Sequence, residues 1–562
     1  MSEFFLELFS EEIPSGLQKS LREKILDDFK NLFDKNLIKS KKSFSLSSPN
    51  RVVIVFEDLD KLISTKSEEI RGPKTEAPEQ AIEGFVRSNK IERKNLYKKK
   101  TEKGEFYFYQ TEAQSLKTYD FLIEFIPKIL ANYQWKKSMK WGEYDLNWGR
   151  PLKSILSIFD KKIVSFNFHH LVSSNSTFID KDLEDKKKNF YNFKDYEKFF
   201  EKQGIFIDQN KRLKIINSNF SKILNKKGLK INDNPKLIDE VVNLVDSPNV
   251  LLCNFDKKFL SIPKEILTLT METHQKYFPT FNDKNEITNQ FLIVANQKDH
   301  KGLIKIGNER VVEARLSDAE FFWNKDKAQN LVKKVSNLKS MNFFKGLGNY
   351  FDKVQRMRKL GGMISDELLI SKEKVELSAS ICKTDLTSEL VGEFPELQGL
   401  MGGYFSTYQG FDKDISLALT EQYLPIGLNS RVPKKPFSVA LSITDKIDTI
   451  VGFFGINEKP TSSKDPLALR RIALGIIRIL IENKKNLKIN DLLIYSSSLF
   501  QDQGYKLENI NLQKELNEFL KDRFKYYLKE KEIRYDVNEA IISSFSLNKI
   551  FSSYEKARCL NK

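Results

Sequence analysis

The feature that most restricts the possible folds of this chain is a change in the spacing of its apolar residues. Up to about residue 323, segments that alternate apolar and polar residues, as strands do, are mixed with segments of helical spacing. From Asn324 to Lys562 the spacing is almost wholly helical, and short polar loops separate the segments. The sequence therefore predicts an α+β multidomain protein with a mixed α/β N-terminal half and an all-helical C-terminal half.

The first 65 residues already show the mixed pattern. The segment FFLELFSEEIP alternates apolar and acidic residues and predicts a half-buried strand. The next segment carries Leu17, Leu21, Ile25 and Phe29 on one helical stripe, and RVVIVFEDL predicts a second strand. A chain of 562 residues is long enough for several domains. We predict an α/β opening domain over residues 1–65, a mixed α/β region over 66–323, a helical domain over 324–505 and further helices over 506–562.

The chain is strongly basic, with a net charge of +17 at neutral pH. A basic surface attracts polyanions, of which nucleic acid is the first candidate and an anionic membrane the second. Lys is abundant along the whole chain, however, and a general drift in composition would also raise its count. The charge therefore suits nucleic-acid binding without identifying a site.

The cysteine and hydropathy patterns predict a soluble protein of a reducing compartment. Cys253, Cys382 and Cys559 are odd in number and far apart, which suits neither a disulfide framework nor a CxxC metal site. The start MSEFFLELFSEE is acidic where a signal peptide is basic. Apolar runs such as Ile472 to Ile477 are much shorter than the roughly 18 residues of a membrane span. We expect a cytoplasmic protein that has no membrane partner.

Two acids, Asp445 and Asp448, lie three residues apart in a segment of helical spacing, so both carboxylates lean toward one helical face. Such a pair can hold a metal ion, activate a water molecule, or pair with cations or solvent. Dinuclear phosphohydrolase sites need several His besides Asp, because imidazole supplies neutral nitrogen ligands. The four His of the chain all lie at or before His300, so the helical half has none. We therefore predict no metal site and acids that pair with Lys or Arg or face water.

A basic helix is predicted in the segment SSKDPLALRRIALGIIRIL. Asp465 can cap this helix and Pro466 can occupy its first turn, where a missing N–H costs nothing. The other residues are nearly all apolar, so the Arg side chains lie either at the solvated edge of a buried helix or beside a phosphate backbone. The candidate nucleic-acid contacts here are Lys464, Arg470, Arg471 and Arg478.

Two further segments combine basic and aromatic residues. FLKDRFKYYLKEKEIRYDVNEAI has helical spacing, and cations beside rings suit a surface that pairs with phosphates and stacks on unpaired bases. THQKYF places a His among cationic and aromatic neighbours, without a sequence partner for catalysis. For each residue the alternative is an ordinary solvated or structural role. The candidate contacts are Arg523, Lys525, Tyr526, Tyr527 and Arg534 in the first segment and His274 and Lys276 in the second.

The common signatures of nucleotide-dependent catalysis are missing from the sequence. No GxxxxGK[ST] motif occurs, and GLGNYF is no dinucleotide fingerprint, because no strand is predicted before it. His169 and His170 are adjacent on a predicted strand, so we expect them to point to opposite faces and to share no ligand. We predict no catalytic residue.

Six segments follow one another almost from end to end of the chain: LELFSEEIPSG, MKWGEYDLNWGRP, METHQKYFP, GNERVVEARLSDAEFFW, CKTDLTSELVGEFPELQGLMGGYF and ITDKIDTIVGFFGINEKPTSSKDPLALRR. In the same order, they resemble segments of the beta subunit of the bacterial heterotetrameric glycyl-tRNA synthetase. The common order is far more specific than any one segment.

The resemblance implies a role in the ATP-dependent attachment of glycine to its tRNA. In this family the glycine and ATP site lies on a separate alpha subunit, two alpha and two beta subunits assemble, and the beta subunit is needed for tRNA binding. The chain fits this division, because it shows neither the arginine-bearing motif 2 loop nor the glycine-rich motif 3 helix of class II synthetases. We expect no cofactor on this chain, ATP and Mg at the alpha subunit, and tRNA(Gly) as the RNA partner.

The resemblance also assigns the predicted domains. It implies tRNA-body-binding domains within residues 66–323 and, over 324–505, a helical domain similar to HD-type phosphohydrolases that has lost their metal ligands. It implies that residues 506–562 begin an anticodon-binding domain, since the family's chain continues beyond the last part that matches. Two other functions stay open: a non-catalytic RNA-binding protein without a synthetase partner, and an HD-type phosphohydrolase, which the missing His oppose.

Overall fold

The computed structural model describes residues 2–64, 69–89, 91–101, 104–110, 115–179, 186–461 and 464–561. The chain forms two compact units, residues 1–256 with 271–312 and residues 257–270 with 313–562. The first unit holds most of the strands, and the described part of the second is helical apart from one short hairpin. The predicted α+β class, with a mixed N-terminal and a helical C-terminal half, is confirmed.

The strands are β1 (Phe4–Ser10), β2 (Lys42–Ser48), β3 (Arg51–Glu57), β4 (Leu62–Ser64), β5 (Glu69–Lys74), β6 (Leu96–Thr101), β7 (Gly104–Gln110), β8 (Ser115–Lys117), β9 (Leu152–Phe159), β10 (Lys162–Ile163), β11 (Asn167–Phe168), β12 (Leu171–Val172), β13 (Ser176–Phe178), β14 (Lys187–Asn189), β15 (Asn249–Asn254), β16 (Phe278–Phe281), β17 (Ile287–Ala295), β18 (Asn342–Phe344) and β19 (Gly348–Asn349).

The helices are α1 (Ser15–Lys35), α2 (Glu79–Ser88), α3 (Thr118–Ala131), α4 (Phe193–Lys202), α5 (Gln209–Lys227), α6 (Pro235–Val242), α7 (Lys264–Leu269), α8 (Leu303–Lys327), α9 (Leu331–Lys334), α10 (Tyr350–Leu368), α11 (Lys372–Ile381), α12 (Glu389–Glu393), α13 (Leu400–Tyr408), α14 (Lys413–Glu421), α15 (Pro436–Gly455), α16 (Leu469–Glu482), α17 (Ile489–Asp502), α18 (Leu512–Glu530), α19 (Tyr535–Ser543) and α20 (Ile550–Leu560).

The main sheet of the first unit is antiparallel and has the strand order β10-β9-β1-β3-β2. Its central strand β1 pairs with β3, where Leu6 lies opposite Ile54. Because successive side chains point to opposite faces, Phe4 and Leu6 pack in the core that contains α1, whereas Phe5 packs in the core that contains α4. The strand order places β9 and β10 beside the three strands from the start of the chain, β1, β2 and β3.

The prediction of a half-buried first strand is wrong, because every residue of β1 is buried. Glu7, one of the acids that suggested solvent exposure, forms an ion pair with Arg51 of β3, with 2.5 Å between Oε1 and Nη1. Tyr196 of α4 donates a hydrogen bond to the same oxygen at 2.5 Å. The Arg51 guanidinium also lies over the rings of Phe9 and Phe200. A buried carboxylate is tolerated here because a cation and a phenol partner it.

Besides three two-stranded sheets, the described part of the first unit has two three-stranded sheets. The sheet of order β15-β17-β16 packs on α5 and α6, and its core includes Ile216, Val241, Phe278 and Leu292. The sheet of order β5-β7-β6 lies in the chain between β4 and β8, which pair with each other.

The helical unit is built around α15, which is buried over almost its whole length although it carries the charged residues Asp445, Lys446 and Asp448. Helices α10, α14, α16 and α17 pack against it, and the core extends through α18. The predicted domain limits and the HD-like character of residues 324–505 stay predictions. No helix of the described ranges is long and apolar enough to cross a membrane.

Candidate nucleic-acid interface

The acids of α15 lie inside the helical unit and pair with cations of α10. Asp448 is fully buried and accepts hydrogen bonds from Arg356 at 2.6 Å from Nε and 3.2 Å from Nη2. Lys353 Nζ lies 3.0 Å from Asp448 and 3.2 Å from Asp445. Burial would raise the pKa of Asp448, but Arg356 and Lys353 hold it below its ordinary value. The prediction that these acids pair with Lys or Arg is confirmed.

Asp445 brings a third element into this network. Lys383, which follows α11, places its Nζ 3.2 Å from the Asp445 carboxylate. Burial would raise the pKa of Asp445, but Lys383 and Lys353 hold it far below its ordinary value. In the described part of the chain, no group of three or more His, Cys, Asp and Glu is placed to hold a metal ion. Since ammonium and guanidinium groups balance both carboxylates, we assign the network to the stability of the helical unit.

Lys446, between the two acids, is also buried. Its Nζ donates to the Leu424 carbonyl and to Ser442 Oγ, both at 2.7 Å. Burial lowers the pKa of Lys446 to about 7, although the Asp445 charge acts in the opposite direction. Two hydrogen-bond acceptors thus hold an amine whose charged form is costly at this depth.

The helix α16 begins at Leu469 rather than at Pro466. The N-cap residue is Ala468 rather than Asp465, but the Asp465 carboxylate, three residues earlier, still accepts from the N–H groups of Leu469 at 2.9 Å and Arg470 at 3.0 Å. Pro466 precedes the helix, since Ala468 at the N-cap adopts a left-handed conformation with φ 54°. The expectation that Pro466 lies in the first turn is therefore wrong.

The cations at the start of α16 face outward. Lys464 and Arg471 are exposed, and Arg470 is half-buried. The Arg470 guanidinium donates to the carbonyl of Thr461. Lys464 and Arg471 are therefore the candidate residues of this helix whose charged groups are most accessible to a polyanion.

Arg478, about two turns further along α16, has a different environment. Its guanidinium donates to the carbonyls of Gly427 at 3.0 Å and Ser430 at 2.7 Å. It also forms an ion pair with Glu482 at 2.9 Å. Arg478 thus holds the 427–430 loop on the helix, and only a small part of its side chain is exposed.

Helix α18 carries two of the candidate residues on its outer side. The guanidinium of Arg523 lies 5.7 Å from the ring centroid of Tyr526 and 5.9 Å from that of Phe519. Tyr526 is exposed. A cation beside an exposed ring is an arrangement that can pair with a phosphate and stack on a base.

The other candidates of this region have partners within the helical unit. Lys525 forms an ion pair with Glu539 at 2.5 Å, and Arg534 at the start of α19 binds Asp536 through two guanidinium nitrogens. Tyr527 is buried, and burial raises the pKa of its hydroxyl to about 12. Its ring belongs to the core of the unit.

His274 and Lys276 lie in the first unit. His274 ends a π-helical turn, Thr270–His274, and is exposed. Lys276 has a positive φ of 60°, and its Nζ lies 3.2 Å from Glu240. The structure thus brings the C-terminal candidates together on α16, α18 and α19, while these two belong to another unit.

The sequence did not reveal an aromatic cluster around His170. His169 and His170 occupy the turn between β11 and β12, so the expectation that they lie on a strand is wrong. The His170 ring stacks on Tyr144, with 3.7 Å between centroids and 9° between planes, and Trp141 contacts it edge-on. The richness of the segment MKWGEYDLNWGRP in aromatic residues was a signal of this cluster. The imidazole that packs on these rings belongs to His170, which lies outside the segment.

Comparison with known proteins gives one family. The family model described as glycyl-tRNA synthetase beta subunit matches residues 4–543. Proteins named glycine–tRNA ligase beta subunit are similar over most of their length. The chain is 37% identical to that of Rickettsia africae (strain ESF-5) over 94% of this chain and 78% of the relative. It is 37% identical to that of Rickettsia peacockii (strain Rustic) over 99% of this chain and 82% of the relative. It is 38% identical to that of Rickettsia bellii (strain OSU 85-389) over 96% of this chain and 80% of the relative.

Proposed function

This chain belongs to the glycyl-tRNA synthetase beta subunit family, and from that premise we propose that it binds tRNA(Gly) and assembles with a catalytic alpha subunit. The assembly attaches glycine to the tRNA with ATP, and this chain contributes RNA contacts rather than the reacting groups. The name of the family supports the partner, because a beta subunit presupposes an alpha subunit. We propose two alpha and two beta subunits acting in the cytoplasm, whose reducing conditions suit the free cysteines.

The observation that carries this proposal is that the two acids of α15 pair with cations inside the helical unit. Asp445 and Asp448 are bound to Lys and Arg side chains, so neither carboxylate is available as a metal ligand or as a base. A metal-dependent phosphohydrolase needs such ligands. We propose that ATP and Mg bind to the alpha subunit and that this chain holds no cofactor.

Exposed cations support the RNA contact. Lys464 and Arg471 are exposed, and on α18 the half-buried Arg523 lies beside the exposed ring of Tyr526. The remaining candidates with partners inside the chain weigh less, because an RNA contact would have to replace an existing interaction. They include Lys276, Arg470, Arg478, Lys525, Tyr527 and Arg534.

The test is glycine charging of tRNA(Gly) by three samples: this chain alone, the alpha subunit alone, and both together. We expect charging only in the mixture and glycyl-adenylate formation by the alpha subunit alone. Adenylate formation by this chain alone would contradict the proposed division of chemistry. A mixture that stays inactive although alpha forms adenylate would contradict the role in tRNA delivery and favour an RNA-binding protein without a synthetase partner.

A further inference from the structure

The three-stranded sheet of order β5-β7-β6 in the first unit has two different faces. Its central strand β7 pairs with β6, where Phe106 lies opposite Lys99 and Phe108 opposite Tyr97. On the other side β7 pairs with β5, where Lys74 lies opposite Phe106 and Arg71 opposite Phe108. Paired residues share a face. We call this set the cation–aromatic face; its members are Arg71, Lys74, Tyr97, Lys99, Phe106 and Phe108.

Helix α2 covers the opposite face. The register of β5 shifts between Arg71 and Lys74, so Gly72 and Pro73 both lie opposite Tyr107, whose side chain points away from the cation–aromatic face. A Cβ at Gly72 would lie 2.9 Å from the Phe85 ring of α2, and the α2 residue Ile82 is buried. The sheet thus carries its helix on one side and the cation–aromatic face on the other.

The cation–aromatic face is built from cations held over rings. The Arg71 guanidinium lies 3.6 Å from the Phe106 centroid, and Lys99 Nζ lies 5.4 Å from that of Phe108. Arg71 and Lys99 are exposed, whereas the two Phe rings beneath them are only 6% exposed. At 3.6 Å from its centroid, the guanidinium lies against the Phe106 ring, and its other side faces away from that ring.

The charge of this face is positive. Lys99 pairs with Glu69 at 2.6 Å, and the Tyr97 hydroxyl donates to the same carboxylate at 2.6 Å. Arg71 and Lys74 have no acidic partner among the described residues. A ligand with negative charge and flat apolar planes complements this combination.

We propose that the cation–aromatic face binds an unpaired segment of RNA. A base stacks on the outer plane of Arg71, the Tyr97 ring is available to a neighbouring base, and Lys74 and Lys99 contact phosphates. A duplex is a poorer ligand, because its bases are stacked on each other and only phosphates and ribose hydroxyls are accessible. This inference rests on the proposed function for the identity of the polyanion as RNA.

The experiment measures binding by fluorescence anisotropy, using the full chain, a single-stranded 12-mer of adenylate and a blunt 12-base-pair RNA duplex as probes. We expect the single strand to bind more tightly than the duplex. Arg71→Ala should weaken single-strand binding about tenfold, and Lys74→Ala should lower the salt slope by about 0.7. The matched controls Arg87→Ala and Lys94→Ala, whose side chains are 79% and 77% exposed outside this face, should bind like wild type.

The stacking step has its own readout. Arg71→Lys keeps the charge but loses the flat plane, so the salt slope should stay unchanged while binding weakens several-fold. A 2-aminopurine in the single strand should be quenched by the wild type and much less by Arg71→Lys. Equal quenching by both would overturn the stacking geometry.

The outcomes separate this inference from the proposed function. Suppose that the wild type binds tRNA(Gly), and that the Arg71 and Lys74 variants bind the single-stranded RNA as tightly as the wild type does. The inference then fails and the proposed function stands. Equal or tighter binding of the duplex, or no binding of the single strand by the wild type, would also overturn the inference. If the wild type binds neither probe nor tRNA(Gly), the proposed function itself fails.

Discussion

The carboxylate of Asp448 is fully buried and balanced by Arg356 and Lys353. A buried ion pair adds little stability compared with well-packed apolar residues, but removing one partner leaves an unpaired buried charge. We expect Asp448→Ala to lower the free energy of unfolding by about 3–5 kcal/mol in urea denaturation. Asp366→Ala, at an exposed position of α10, is the matched control and should change it by less than about 0.5 kcal/mol. Equal effects of the two variants would contradict the structural role.

The amine of Lys446 predicts a pH dependence of stability. Its pKa of about 7 in the folded chain lies below the ordinary 10.5, so between these values the unfolded chain binds a proton that the folded chain lacks. Stability therefore rises with pH across this window. Relative to Lys446→Met, the wild type should gain up to about 1.4 kcal/mol per pH unit between pH 7 and 10. Urea denaturation at constant ionic strength measures the difference.

The control for this prediction is Lys359→Met, which removes an exposed amine of α10. It should leave the pH dependence of the wild type unchanged. A constant difference between wild type and Lys446→Met from pH 7 to 10 would show that the amine titrates normally.

At the scale of elements, the aromatic segment before β9 depends on a glycine. Trp135 packs edge-on against Trp148, and a Cβ at Gly149 would overlap the Trp135 ring. We expect Gly149→Ala to destabilise the first unit by about 1–3 kcal/mol, because the ring cannot move without disturbing the core. Gly16→Ala in α1, where no atom lies within 4 Å of the new Cβ, should be neutral or slightly stabilising. Thermal unfolding of both variants checks this, and a neutral Gly149→Ala would contradict it.

Helix α16 carries a cation with a structural role, Arg478, and a candidate RNA-contacting cation, Arg471. Arg478→Ala removes donors from two loop carbonyls and should lower stability by about 1–3 kcal/mol, with little effect on the tRNA affinity of the folded protein. Arg471→Ala, at an exposed position, should leave the melting temperature unchanged and weaken tRNA binding with a salt slope reduced by about 1. Melting curves and filter binding distinguish the two. The reverse pattern would contradict both assignments.

At the scale of the whole molecule, the net charge of +17 predicts a steep salt dependence of tRNA binding. Each neutralised phosphate releases counterions, so a protein that contacts six to ten phosphates loses about 10³ to 10⁵ in affinity between 50 and 200 mM salt. We expect a loss in this range for tRNA(Gly) in filter binding. Affinity that stays constant over this range would contradict an electrostatic RNA surface.

Particular elements show how far the sequence could predict this fold. The helical spacing after residue 324 identified α15 as a helix, because periodicity depends only on neighbouring residues. The same reasoning was wrong for β1, because Glu7 is buried by an Arg51 that lies on another strand. It was also wrong for Pro466, because the left-handed Ala468 moves the start of α16 to Leu469.

The sequence by itself determined the α+β division and the family, and for Asp445 and Asp448 it left pairing with cations and exposure to water as alternatives. Each of these depends on residue types and their local order. Only the tertiary structure decided that Lys353 and Arg356 are the partners, that Arg478 is turned toward a loop, and that Arg71 lies on Phe106. Local spacing determines the face on which a side chain lies, but the packing of distant segments determines what that face meets.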